Sequence, residues 1–258
     1  GSLVNAGMIN GISWSGRVTG KQAGNYRNRY YGLVYNSGFH EFDVSGFVGL
    51  SKAWGYSQWH VTSFDQTLAL PEGERDTDGS FMKPVDEDNL VRVTSDDLEG
   101  YKIGIPSQRV RHFRTFLTNS IQFGDSRLAI NSGYQLSRRQ ELGNPEDPAE
   151  NELYFYMPTG TYDVKYYLPS FNGWKITTGL GGMIQSNTNK GEEFLIPDYN
   201  LFDIGAFGVF QKWFDRVHLS GGFLYDHRSL HSESLYLNAD EEPVDPGDPD
   251  AEQKFAAL

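Results

Sequence analysis

The feature that most constrains this chain is a strict two-residue alternation of apolar and polar side chains, sustained over segments of about ten residues or more. From His40 the even positions run Phe42, Val44, Gly46, Val48 and Leu50, while the odd positions are Glu41, Asp43, Ser45, Phe47, Gly49 and Ser51. Residues 110–123 set Phe113, Thr115, Leu117 and Ile121 against His112, Arg114, Thr118, Ser120 and Gln122, with Phe116 out of phase. Residues 127–138 set Leu128, Ile130, Tyr134 and Leu136 against Arg127, Asn131, Gln135 and Ser137. Three later stretches, beginning near Tyr162, Trp174 and Phe202, repeat the pattern, as does a fourth at Val217, Leu219, Phe223 and Tyr225. Successive side chains of a strand point to opposite faces, so each segment reads as a strand with one apolar and one polar face. A helix would need apolar residues three and four apart, and these segments lack that spacing.

The connections alternate short and long. Short turns fall near 52–57, 124–126, 169–173 and 213–216, rich in the Gly, Asp, Asn and Ser of tight hairpins. Long polar stretches occupy roughly 21–38, 70–108, 139–151, 187–200 and 229–254. If strands run up and down, every short turn lies on one rim and every long loop on the other, with nine strands and the start of a tenth at Phe255-Ala256-Ala257-Leu258. Aromatic residues gather at all four short turns: Trp54, Tyr56 and Trp59; Phe123; Tyr166, Phe171 and Trp174; Phe210, Trp213 and Phe214. Asymmetric loops and an aromatic girdle are the marks of an outer-membrane barrel. The competing architecture is a soluble antiparallel sandwich with the aromatics in its core, although its strands typically run only about five to six residues.

Composition narrows the function. Lys+Arg 22 against Asp+Glu 34 leaves a net charge of −12, which argues against a nucleic-acid groove. No apolar run approaches the ~18 residues of a spanning helix. Zero cysteines remove disulfides, thiolate zinc sites and cysteine nucleophiles together. No phosphate loop, nucleophile elbow or metalloprotease motif is present, so no catalytic residue is assigned. His227 and His231, four apart, would lie about 13 Å from each other along a strand, too far to share a metal. His60, His112 and His218 fall on separate strands, so no metal site and no cofactor is expected. The acidic runs over 72–99 and 240–252, which include Glu87, Asp88, Asp240 and Glu241, do not fit a calcium loop and read as solvated surface.

Several segments together resemble the barrel of TonB-dependent outer-membrane receptors of the siderophore and cobalamin type. They are Asn5-Ala6-Gly7, Gly24-Asn25-Tyr26-Arg27-Asn28, Asn36-Ser37-Gly38-Phe39, Trp54-Gly55-Tyr56-Ser57, Pro71-Glu72-Gly73-Glu74-Arg75-Asp76 and Gly191-Glu192-Glu193-Phe194-Leu195-Ile196-Pro197-Asp198-Tyr199. The stretch from Tyr162-Asp163-Val164-Lys165-Tyr166 to Leu219-Ser220-Gly221-Gly222 has the same character. The resemblance spans essentially the whole chain and rests on the order and spacing of these segments. It implies an all-β, antiparallel up-and-down transmembrane barrel in the outer membrane of a Gram-negative bacterium, of which about nine to ten strands are present. The family's barrel has about 22 strands around a plug. Residues 1–2 read as a tag scar and 3–258 as an internal barrel segment, without the plug domain through which TonB acts.

The implied function is part of TonB-dependent uptake of a scarce nutrient such as a ferric siderophore, haem or cobalamin. The partners implied are outer-membrane lipid, the plug of the parent chain, TonB through it and a small-molecule chelate, with no nucleic acid. Two rivals stand beside it: a passive porin-like or structural barrel, and a soluble β-sandwich adhesin or carbohydrate-binding module. The most cationic and aromatic loop, 21–38, supplies the candidate ligand contacts Tyr26, Arg27, Arg29, Tyr30 and Tyr31, because arginines suit anionic chelates and tyrosines add contact area. Glu41, Asp43, Arg114, Asp163, Lys165, Lys175, Asp203, Asp226 and Arg228 are expected on the lumen face, with Arg127 and His218. The isolated piece, with open edges and a bare apolar face, is expected to self-associate.

Overall fold

The computed structural model describes every residue except Glu87, Asp88, Asp240, Glu241 and Leu258. Ten strands form one antiparallel sheet in which each strand pairs with its neighbours in sequence. They are β1 (Ser2–Ile9), β2 (Ile12–Ala23), β3 (Phe39–Lys52), β4 (Gly55–Ala69), β5 (Ser107–Phe123), β6 (Ser126–Leu142), β7 (Leu153–Tyr167), β8 (Trp174–Asn189), β9 (Tyr199–Trp213) and β10 (His218–Ser232). This is an up-and-down meander, part of a barrel wall. A 15-residue strand such as β9 measures about 50 Å, roughly twice the apolar height of a bilayer-spanning barrel.

The tenth strand is not where the periodicity put it. Residues 2–23 form two strands, reversed at Asn10-Gly11, whose φ values of 50° and 84° are those of a type I′ hairpin turn. Asn and Gly are the residues that tolerate this left-handed backbone, and the same pair returns at Asn172 and Gly173 between Phe171 and Trp174. At the other end, Glu252–Phe255 does not join the main sheet. It pairs with Leu235–Leu237 in a small three-stranded sheet completed by Pro243–Val244, within the segment after β10. Leu258 and the acidic residues Glu87, Asp88, Asp240 and Glu241 lie outside the described residues.

Directly opposed residues share a sheet face, so the register carries one face across the whole wall. On the apolar face Trp14 opposes Val48, then follow Trp59, Leu117, Ser132, Tyr162, Gly182, Ile204 and His227. On the polar face Arg17 opposes Ser45, followed by Thr62, Arg114, Gln135, Thr159 and Gln185. Five glycines are covered by an aromatic ring from the residue directly opposite: Gly7 by Trp14, Gly179 by Phe207, Gly182 by Tyr162, Gly208 by Phe223 and Gly221 by Phe210. A ring lying over a bare glycine restores contact that the strand would otherwise lose.

The exposed surface decides between the barrel and the sandwich. It totals 16487 Å², against roughly 11,000 Å² for a compact chain of this mass. Val48, Trp59, Ile184 and Phe223 on the apolar face are each more than half exposed, and no second sheet covers that face among the described residues. The buried apolar residues Val34, Phe81, Leu153 and Phe155 lie in or beside the long loops. A sandwich would bury its apolar face against a second sheet; among the described residues this sheet leaves that face uncovered.

Candidate functional site

The long loops all leave the rim formed by the ends of β2, β4, β6, β8 and β10, and two of them interlock into a cap. The loop after β2 carries a miniature hairpin, Arg27–Asn28 paired with Gly32–Leu33. Its tip is shaped by Asn28, whose Oδ1 accepts from the amides of Tyr30 (3.0 Å) and Tyr31 (2.7 Å). The loop after β4 contains the hairpin Met82–Pro84 with Leu90–Arg92 and the one-turn helix Ser95–Leu98. Thr94 and Asp97 form a reciprocal capping box at that helix.

Two asparagines fasten these loops together. Asn36, 4% exposed and left-handed at φ 53°, donates from Nδ2 to the carbonyls of Leu70 (3.1 Å) and Pro106 (2.7 Å), and its Oδ1 accepts from the Gly104 amide (2.9 Å). Asn25 donates to the carbonyl of Leu98 (3.1 Å) and accepts from the Ser37 amide (2.8 Å). Gly24 packs so closely on the Gly100 carbonyl that an added Cβ would lie 2.2 Å from its oxygen. Ion pairs brace the second loop: Arg92 with Asp76 (2.8 Å) and Asp78 (2.7 Å), and Lys83 with Asp97 (2.5 Å). The Lys83 ammonium, with further donors from Thr94, lowers the Asp97 carboxyl to a pKa of about 2.

The expected ligand residues Tyr26, Arg27, Arg29, Tyr30 and Tyr31 are all exposed on one hairpin, with Tyr30 88% accessible. Arg75, from the acidic stretch of the neighbouring loop, joins them. Its guanidinium lies 4.0 Å from the Tyr31 ring centroid and 3.7 Å from that of Phe81. In the sequence Arg75 carries no signal of a ligand contact because it stands among carboxylates, and Asn36 carries none because a single asparagine has no periodicity. The cue for Asn36 was its place ahead of Ser37-Gly38, where a turn is due.

The nine expected lumen residues share the polar face by register. Asp203 opposes Arg228, and the guanidinium donates to both carboxylate oxygens at 2.7 Å. Asp163 accepts from Asn131 directly opposite (3.1 Å) and pairs with Lys165 two residues on (3.0 Å). Glu41 pairs with Lys21 directly opposite and accepts from Gln66 (2.9 Å), with Asp43 two residues along the strand. Lys175 lies 5.1 Å from the Trp213 ring, and Arg114 lies 4.6 Å from the Phe116 ring. The exceptional Phe116 has a reason: it stacks on His60 at 4.4 Å, and Phe47 stacks on the other neighbour strand's side of His60 at 5.2 Å.

Glycines leave two hollows on this wall. One of about 430 Å³ lies over Gly133 and is lined by Arg114, Asn131, Gln135 and Asp163. Another of about 540 Å³ lies over Gly181 and Gly205 beside Asp203, Asp226 and Arg228. His227 and His231 fall on the opposite, apolar face, and no three metal-ligating side chains converge among the described residues.

No family model matches the sequence, and no curated protein matches it. Among the solved structures that match is the ferric yersiniabactin uptake receptor FyuA from Yersinia pestis, which aligns over 100% of the chain with 12% sequence identity and a TM-score of 0.51. The fold is that of part of an antiparallel β-barrel wall. The chain spans 40% of the length of that receptor, so the likeness concerns the architecture of a wall segment.

Proposed function

We propose that the chain forms part of the wall and extracellular cap of an outer-membrane receptor for TonB-dependent uptake of a scarce nutrient chelate, such as a ferric siderophore, haem or cobalamin. The observation that carries this reading is the division of the sheet: a bare apolar face on one side, a charge-paired polar face on the other, and long loops interlocked at one rim only. Lipid would cover the apolar face, and a plug in the lumen would cover the polar face. The hollows over Gly133 and Gly181 suit such an inserted body. On the cap, Arg27, Arg29 and Arg75 supply charge for an anionic chelate, while Tyr26, Tyr30 and Tyr31 supply contact area. The shared wall architecture with the ferric yersiniabactin uptake receptor supports the outer-membrane barrel role, and the cap residues carry the choice of an anionic chelate.

Binding is tested by quenching of tryptophan fluorescence with ferric siderophores, haem and cobalamin in detergent. Saturable binding of one class, lost when 26–31 is replaced by a Gly-Ser linker, is the expected result. Ion conductance without saturable binding of any of the three would favour the passive, porin-like barrel.

A further inference from the structure

The face that carries the apolar band does not stay apolar to its upper end. Near the long-loop rim its register reads Asp65, Arg111, Arg138, Tyr156 and Thr188 across five adjacent strands. One step higher it reads Thr67, Arg109, Gln140 and Tyr154, with the Lys190 amide bonded to the Tyr154 carbonyl (2.8 Å). One step lower stand Phe113, Leu136 and Pro158. The face therefore passes from apolar to cationic within about 7 Å.

Four cations and one carboxylate occupy this patch, in a chain whose net charge is −12. Asp65 is taken by Arg109 in a two-pronged contact of 3.0 and 2.7 Å. Arg111 stands directly opposite Asp65 but has no hydrogen bond to it, and among the described residues no carboxylate of the patch pairs with Arg138 or Lys190. Arg111 donates to the neutral Gln140 (2.5 Å), the Arg138 guanidinium lies 5.5 Å from the Tyr156 ring, and the Lys190 ammonium lies 4.3 Å from the same ring. The Nε atoms of both Arg111 and Arg138 are enclosed without an acceptor. Beyond the strand ends lie Glu152 and Glu192, whose carboxyls are held above the usual range, Glu152 by burial first and then by neighbouring carboxylates, Glu192 by its hydrogen bond with Glu150.

We propose that this outward patch binds the phosphate-bearing headgroup of an anionic lipid in the outer leaflet, whose acyl chains run down the apolar face below Arg111 and Arg138. The inference rests on the membrane reading above. The charge is complementary to phosphate, arginine donors match its oxygens, and tyrosines at the same level suit the lipid–water interface. The position selects a lipid rather than a soluble anion, because the cations border the apolar band on the side turned away from the lumen.

The test compares the wild-type protein with the triple variant R111Q/R138Q/K190Q, and with K175Q on the polar face as control. The probes are vesicles of zwitterionic lipid alone or doped with a diphosphorylated lipid A, its dephosphorylated form serving as a third arm. Insertion into zwitterionic vesicles tests the membrane reading; retention of the phosphorylated lipid after extraction, read by native mass spectrometry, tests the patch. Wild type and K175Q should retain the phosphorylated lipid over the dephosphorylated one, and the triple variant should bind it about a hundredfold more weakly, as expected for three basic side chains at a charged lipid surface. Insertion without that preference, an unaffected triple variant, or displacement of the lipid by millimolar inorganic phosphate would each overturn the lipid site and leave the membrane reading standing. Failure to insert into any vesicle would overturn both.

Discussion

Single backbone positions decide whether neighbouring strands can approach. Gly55 opens β4 at φ 129°, and a Cβ there would lie 1.8 Å from the Ser120 carbonyl oxygen. Both the left-handed angle and the clash resist a side chain, so Gly55→Ala should cost at least about 1–3 kcal/mol. Gly16 in β2 faces open space, and Gly16→Ala should be close to neutral; unfolding midpoints of the two variants in detergent compare them directly. Charge acts at the same scale in the loop cap. Asp97 has a depressed carboxyl, so the stability that it contributes is complete above the ordinary carboxylate pKa and is lost as the pH falls toward about 2. Proteolysis of 70–106 by pepsin should therefore stay slow near pH 4 and accelerate toward pH 2. Lys83→Met, which removes the largest cause of the shift, should move the acceleration to higher pH.

Strands and loops behave as units. The register assigns Val44, Ile130 and Leu219 to the apolar face, and Ser45, Asn131 and Ser220 to the polar one. On the membrane reading, an arginine at any of the first three should cost about 2–4 kcal/mol near the midplane and block assembly. The same change at the second three should be far milder, and heat-dependent gel mobility of refolded variants separates the two sets. Equal damage on both faces would contradict the assignment of lipid to the apolar face. In the cap, Asn36→Ala would leave the Gly104 amide and two carbonyls without their partner in a buried position, at about 1–3 kcal/mol. Hydrogen exchange should then rise in 24–38 and 70–106 together while β3 and β4 keep their protection.

At the level of the whole molecule, the sheet has two free edges and two uncovered faces. Nearly all of β10 is exposed on both sides, as is β1 at the opposite edge. Unpaired edge groups recruit further strands, and an apolar face of this extent does not stay bare in water. Light scattering in detergent-free buffer should therefore report aggregates or oligomers of this chain, and detergent should disperse them. A monodisperse monomer of 29.1 kDa in plain buffer would contradict the barrel-wall reading.

The meander and its two faces were legible in the sequence because a strand's side-chain period is local: Val44 and Asp43 sort themselves without reference to any distant residue. The rims were legible for the same reason, since turn residues and loop lengths are local properties. The Asn10-Gly11 turn is equally local, but residues 2–23 alternate weakly, with Gly7, Gly16 and Gly20 diluting the apolar face, and so hide the two strands beside it. What lies across strands was not legible. That Arg228 meets Asp203, that Asn36 bridges two loops, and that Arg75 stacks on Tyr31 depend on pairing partners 25 to about 70 residues away. The outward rank of Arg109, Arg111 and Arg138 belongs to the same class. Along the chain these arginines look like a break in the alternation, and only the register shows them gathered at one end of one face. A strand's own sequence says which way each side chain points; pairing alone decides which side chains meet.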